Sequence, residues 1–230
     1  MSTWTVPKMW EGGDAWIIGG GPSMPRQFNV PEDTIQDVCS GKQFPEVYSP
    51  FLEPIHKKHI IGVNNAYQIG TWMDAMLFGD SGWYLRYRKA IAQWPGIKVS
   101  CAPRFANLPD KKMEGIKYLA KDPQHSKGLT SNPRKVSWNS NSGAAAMNLA
   151  VHFGAKRLFL LGFDMVKNGK STHWHGSHHK GQKKLPYFRH LKGFPIIAVD
   201  AELLGVKIFN VNLHSRIEAF PRITLEEALN

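Results

Sequence analysis

A chain of 230 residues, 42% apolar and 11% aromatic, can bury a core of its own, which excludes a disordered segment or a disulfide-stapled miniprotein. With 29 Lys and Arg against 18 Asp and Glu, its net charge of +11 attracts polyanions such as nucleic acid, anionic membrane or phosphorylated ligands. No window approaches 18 consecutive apolar residues, no signal-peptide pattern opens the chain, and Cys39 and Cys101 lack metal or redox spacing, so a soluble, cytoplasmic protein with no membrane span is expected.

Residues 1–13 read as a lead-in ending in Gly12-Gly13. Ala15–Ile18 is a short buried strand that opens into Gly19-Gly20-Gly21-Pro22-Ser23, and a glycine turn there lets backbone N–H groups approach a phosphate. The turn is neither GxGxxG nor a P-loop, because no Lys-Ser/Thr follows. An irregular stretch marked by Pro31, Pro45, Pro50 and Pro54 leads to a second strand, His59–Val63. Asn64 and Asn65 at its end are placed to read a base or ribose, or to form an Asx turn capping the next segment. Asp74–Phe78 is a third strand, after which Asp80 meets a hydroxyl or a cation, or caps a helix over Trp83–Trp94. Ile97–Cys101 is a fourth strand.

Residues 102–137 are polar, basic and poorly periodic, which suggests a lid or an inserted excursion. Ser142–Phe153 is an alanine-rich helix ended by Gly154, and Arg157–Leu161 is the most apolar strand, expected at the centre of the sheet. That strand ends in Gly162-Phe163-Asp164. A loop over 166–186 follows, with four histidines within seven residues: His173, His175, His178 and His179. Lys184–Leu204 reads as helical in parts, broken at Gly193 and Pro195. Val206–Val211 is a last strand, Asn212–Ser215 a strand-end loop, and Thr224–Leu229 a closing helix with Thr224 as N-cap and Glu227 three residues on. Apolar strands alternating with helices predict one α/β domain over 1–230, doubly wound around a mainly parallel, Rossmann-like sheet, with a basic lid or insertion. Ligands of such sheets gather outside the carboxyl ends of the strands.

The order strand–GGGPS, strand–VNNAY, then NSG–helix–strand–LGFDM resembles the bacterial sialyltransferase family. It also resembles the related motility-accessory (MptE-like) proteins and phage-encoded glycosyltransferase-like proteins, the last through NLHSRIEAFP near the end of the chain. The resemblance covers residues 15–23, 60–67 and 141–179 and little between them. It implies that Gly19, Gly21 and Ser23 hold the donor's phosphate and ribose, with Gly20 standing where the family has asparagine. It further implies that Asn64 sits at the donor sugar or leaving phosphate, that Ser142 and Gly143 contact the nucleotide, and that Asp164 matches the family's strand-end aspartate. The family's His-Tyr-x-Gly-His segment is similar to His173-Trp174-His175-Gly176-Ser177-His178, with one extra residue and with Trp174 in place of a tyrosine that aids the leaving phosphate.

Three meanings fit HWHGSHH. An uncharged imidazole suits a general base, because its ordinary pKa of about 6.5 lies near operating pH. Zinc is the second, since His173, His175 and His178 reproduce an HxHxDH spacing with Ser177 at the aspartate position. The third is a solvated, anion-attracting loop. Downstream, Lys180, Lys183, Lys184, Tyr187, Arg189, His190 and Lys192 suit a phosphate backbone and Tyr187 and Phe188 stacked bases, or else the stretch is a wet helix face.

The expected function is glycosyl transfer from a nucleotide-activated sugar to a hydroxyl by direct displacement, with no obligatory metal. His178 is the expected base, His175 the next candidate and His173 an orienter. The expected acceptor is DNA carrying hydroxymethylated pyrimidines, which places a phage-encoded protein in the host cytoplasm. Two other classes stay open: a Mg²⁺-dependent pyrophosphokinase-like enzyme and a non-catalytic nucleic-acid-binding module. The oligomeric state is not legible in the sequence.

Overall fold

The computed structural model of the chain describes residues 4–107, 115–166, 172–176 and 187–230. In chain order the strands are β1 (Asp14–Ile18), β2 (His59–Val63), β3 (Ala75–Phe78), β4 (Ile97–Ser100), β5 (Lys117–Tyr118), β6 (Ala120–Lys121), β7 (Lys135–Val136), β8 (Arg157–Leu161) and β9 (Lys207–Asn210). Seven of them form one sheet in the order β5-β4-β3-β2-β1-β8-β9, and β6 and β7 pair separately. Every strand pairing among the described residues is parallel.

The helices are α1 (Ser23–Gln27), α2 (Glu32–Ser40), α3 (Ser81–Gln93), α4 (Ser142–Phe153), α5 (Tyr187–Leu191), α6 (Phe194–Leu203) and α7 (Leu225–Leu229). Successive strand side chains point to opposite faces, and here both faces are dry. Ile17, Leu77, Leu158 and Leu160 pack with α4 and α6 in one core. Trp16, Ile18, Phe78, Phe159 and Leu161 pack with residues of α2, α3 and α7 in the other. The expected doubly wound Rossmann-like fold is therefore what forms.

Several expectations need correction. β8 is interior but sits next to the edge strand β9, and β2 holds the centre. Its apolar run reports burial on both faces, which a strand one place from the edge shares with a central one. The proline-marked stretch is ordered: α2 follows Pro31, and a 3₁₀ run covers Pro45–Ile55, with Tyr48, Leu52 and Ile55 fully buried. Pro195 does not break a helix, because it lies in the first turn of α6, where its missing N–H has no intrahelical partner to lose. Within the expected lid or insertion over 102–137, the described residues 115–137 add β5 to the sheet and bury Leu119, Leu129 and Val136 in the core.

The caps follow the sequence closely. Asp80 accepts from the Trp83 N–H at 2.6 Å, Gly154 ends α4 in the left-handed conformation, and Thr224 with Glu227 closes a capping box. No helix is long and apolar enough to cross a membrane among the described residues.

Candidate functional site

From β1 the chain moves outward through β2 to β5, and from β8 it moves the other way to β9. The order reverses between β1 and β8, and a crevice opens at the carboxyl ends of strands at such a reversal. Two strand-end turns meet there. Gly19 N–H donates to the Leu161 carbonyl and Gly21 N–H to the Gly162 carbonyl, both at 2.8 Å. A Cβ on Gly21 would stand 2.5 Å from the Gly162 oxygen and 2.6 Å from a carboxylate oxygen of Asp164. Glycine is required here by close approach, and the two turns act as one unit.

Asp164 is 3% exposed. Its Oδ2 accepts from the Ser23 N–H at 2.9 Å, and its Oδ1 accepts from the Ser23 hydroxyl and, at 2.7 Å, from Asn212 Nδ2. Burial raises its pKa above the ordinary carboxylate value, against the opposing pull of Ser23 and Asn212. Asn212 is held in turn by its own loop, its Oδ1 accepting from the His214 N–H at 2.9 Å, while Ser215 Oγ donates to the Phe163 carbonyl at 2.7 Å and Asn210 Nδ2 donates to Ser215 Oγ at 2.8 Å. The NLHS loop thus braces the end of β8.

These turns, the ends of β2 and β3 and the start of α4 surround a cavity of about 400 Å³. Asn141 caps α4: its Oδ1 accepts from the Gly143 N–H at 2.8 Å. Asn141 is 8% exposed, and its Nδ2 is buried at the cavity with no hydrogen-bond partner among the described residues. Asn64 presents the complement, a buried Oδ1 without a partner. The first turn of α4 holds no acidic side chain, so its positive end faces the cavity with no opposing charge of its own.

Backbone strain gathers at the same place. Among the described residues, the non-glycine positions with positive φ are Asn29, Asn64, Asn139, Ser140 and Met165. Asn64, Ser140 and Met165 line the cavity, and Asn139 adjoins Ser140. Asparagine tolerates this region, but serine and methionine hold it only where surrounding structure enforces it.

Residues 172–176 lie across the glycine turn. Trp174 is fully buried; its indole N–H donates to the Gly19 carbonyl at 2.7 Å and its backbone N–H to Gly20 at 3.1 Å. Tyr48 supports it from below by donating to the Trp174 carbonyl at 3.1 Å. Trp174 is therefore an anchor, and its two neighbours, His173 and His175, line the cavity. A Cβ on Gly20 would meet the His173 ring at 2.6 Å.

The structure brings Gly19, Gly20, Gly21, Asn64, Asn65, Asp80, Ser142, Gly143, Asp164, His173, His175 and Tyr187 to one cavity, with Ser23 one hydrogen bond behind Asp164. Asn65 is engaged within the fold: its Oδ1 accepts from the Trp83 indole at 2.6 Å and its Nδ2 reaches the Tyr87 hydroxyl at 3.5 Å. Tyr187 is half-buried, its hydroxyl pKa raised by burial and then by Asp164, whereas Arg189 beside it is exposed. His178, Lys180, Lys183 and Lys184 lie outside the described residues. No group of three or more His, Cys, Asp or Glu side chains is placed for a metal among the described residues, and the three-histidine arrangement depends on His178.

Sequence reasoning missed Trp138, Asn141 and Thr172, which also line the cavity, as does His190 from the downstream basic stretch. Asn141 carried a signal, being the natural N-cap of the Asn-Ser-Gly start. Trp138 carried none. Burial pushes His190 down to about 4, with the Arg189 charge acting the same way and a hydrogen bond to the Ser140 backbone opposing. This wall of the cavity is uncharged at neutral pH.

No family model and no curated protein matches the chain. Its fold is similar to that of the sialyltransferase CstII from Campylobacter jejuni solved in complex with the substrate analogue cytidine-5'-monophosphate: the TM-score is 0.50 at 14% identity, over 92% of this chain and 84% of that one. The CstII complex with CMP-3FNeuAc gives a TM-score of 0.46 at 11% identity, over 92% of this chain and 86% of that one. At these identities the likeness is one of fold.

Proposed function

We propose that the protein is a glycosyltransferase that moves a sugar from a nucleotide-activated donor to a hydroxyl acceptor. The observation that carries this is the meeting of the Gly19–Gly21 turn, Asn64, the α4 start at Ser142-Gly143 and Asp164 on one cavity at the sheet's reversal point. The positive end of α4, with Asn141 Nδ2 beside it, suits the donor's phosphate. Asp164 and Ser23 suit a ribose. CstII, whose fold is similar, was solved with a cytidine nucleotide, which makes CMP the first nucleotide to try.

The displacement is direct. A histidine takes the proton of the acceptor hydroxyl, the freed oxygen bonds the anomeric carbon, and the bond from that carbon to the phosphate oxygen breaks with its electron pair leaving on the nucleotide. His178 is the proposed base, His175 the next candidate and His173 an orienter; the placement of His173 and His175 on the cavity wall supports assigning this segment to the reaction. Trp174 is buried with its N–H used, so Tyr187 is the proposed hydrogen-bond donor to the leaving phosphate. No obligatory metal is proposed. The net charge of +11 supports a polyanionic acceptor, with hydroxymethylated DNA as the polymer to test.

Incubation with a panel of nucleotide sugars, with and without EDTA, is expected to release free nucleotide in both arms. Loss of release in EDTA overturns metal independence and favours the zinc or Mg²⁺ readings. Transfer of pyrophosphate from a nucleoside triphosphate, with no nucleotide sugar consumed, overturns the glycosyltransferase reading.

A further inference from the structure

Trp138 belongs to none of the sequence motifs, yet several features of the fold hold it at the cavity. The Lys121 ammonium lies 4.2 Å from the centre of its ring and covers one face. The far edge of the indole packs on Gly79, where a Cβ would collide with Cζ3 and Cη2. Behind it, Asn139 and Ser140 turn the chain sharply with φ of 49° and 53°. The Asn139 amide fixes that turn, accepting from the Gly128 N–H at 2.8 Å and donating to the Gly128 and Ser137 carbonyls at 3.0 and 3.2 Å. The ring itself is partly exposed and lines the cavity together with Asp80 and Trp83.

The cavity carries unengaged groups of two kinds. Around α4 the cavity meets donor character: the positive end of the helix and Asn141 Nδ2, which has no partner among the described residues. Just past β2 and β3 they are acceptors. Asp80 uses Oδ1 on the Trp83 N–H and no hydrogen bond among the described residues reaches its Oδ2, while Asn64 Oδ1 has no partner. An anion suits the donors, and a group rich in O–H suits the acceptors. A pyranose offers several hydroxyls to carboxylate and amide oxygens and an apolar C–H face to an aromatic ring. A nucleobase offers at most a few N–H donors on one edge.

We infer that Trp138, with Asp80 beside it, is the shelf that receives the pyranose ring of the donor, and that Lys121 and Gly79 are positioning residues for it. This rests on the nucleotide-sugar reading of the cavity. It assigns the sugar to the β3 side and leaves the nucleotide to the β1 and β8 side.

The test compares dissociation constants for CMP and CMP-3FNeuAc, and for UDP and UDP-glucose, by calorimetry. The quantity of interest is the ratio of nucleotide to nucleotide-sugar constants, which isolates the sugar's contribution. In wild type at least one pair is expected to show a gain from the sugar. Trp138→Leu is expected to cut that gain by about 3–10-fold, from an aromatic contact of roughly 0.5–1.5 kcal/mol, and to leave the nucleotide alone within about 2-fold. Trp138→Phe should keep most of the gain, and Asp80→Asn, which retains a helix cap, should lose part of it.

Equal weakening of nucleotide and nucleotide sugar in Trp138→Leu would make the indole a base platform and overturn the inference. So would a wild type that gains nothing from the sugar, or a Leu variant that keeps the gain. If Trp138→Leu fails to fold by circular dichroism, Asp80→Asn decides alone, and an undiminished gain there overturns the shelf. A wild type that binds no nucleotide sinks the underlying functional reading instead.

Discussion

Two pairs of asparagines divide this molecule into a part that is finished and a part that is not. Away from the cavity, Oδ1 of Asn148 in α4 accepts from the Thr130 and Ser137 N–H groups at 3.2 and 2.8 Å, and its Nδ2 donates to the Thr130 carbonyl at 3.0 Å. Asn139 is likewise engaged at both ends of its amide by Gly128 and Ser137. At the cavity, Asn64 leaves its acceptor and Asn141 its donor without a partner among the described residues. A buried amide satisfied at both ends is a staple, while one left half satisfied at a cavity wall is explained by a ligand that completes it. Burial does not separate the two roles, since Asn148 and Asn141 are both buried.

The largest expected effect falls on the finished pair. Asn148→Ala should lower unfolding free energy by about 3 kcal/mol, because it orphans two buried N–H groups and a carbonyl together. Urea denaturation measures this, and CMP affinity of the folded variant should be unchanged. A variant as stable as wild type would show that Asn148 is not a staple.

Asn141→Asp acts on the unfinished pair and separates cap from reader. Aspartate still caps α4 through its carboxylate, so stability should stay within about 0.5 kcal/mol of wild type. It has no N–H to offer, and its charge opposes an anion at the helix start, so affinity for CMP-3FNeuAc should fall by about 10-fold or more. Asn141→Ala should lose both cap and affinity. Undiminished binding by the aspartate variant would remove Asn141 from the ligand's partners.

This contrast also marks how far the sequence could be read. Strand positions, the Asp80 and Thr224 caps and the Gly154 stop were legible because each depends on neighbours a few residues away. The strand-end turns were legible as a set because parallel sheets gather them on one edge. The place of β8 was not, since an apolar run reports burial on two faces and not rank within the sheet. Trp174 looked like a member of the reactive loop, and its anchoring role depends on Gly19 and Tyr48, both more than 120 positions away. Trp138 is placed by Lys121 of β6 and by Gly79 just past β3, a conjunction that no local pattern encodes.

The smallest expected effect concerns two histidines, one in each region. His152 is buried against Asn148 and the Lys135 carbonyl, and burial lowers its pKa. His190, on the cavity wall, is pushed down to about 4 by burial and then by Arg189. For both, the folded pKa lies below the ordinary value of about 6.5, so on acidification the unfolded chain binds protons first. Their stabilising contribution is full above about pH 6.5 and is lost as pH falls, for His190 through the range down to about 4. Asp164, whose folded pKa is raised, acts oppositely just above the ordinary carboxylate value, and Asp164→Asn would remove that opposing slope. A ligand tells the two histidines apart. An anion in the cavity favours the imidazolium of His190, so saturating CMP should move that titration upward, read from imidazole C–H resonances by NMR. The His152 resonance should titrate as it does without ligand, because that ring pairs with the staple and does not line the cavity. If CMP binds and shifts both resonances equally or neither, the anion does not sit at the His190 wall, and the donor's phosphate must be placed elsewhere in the cavity.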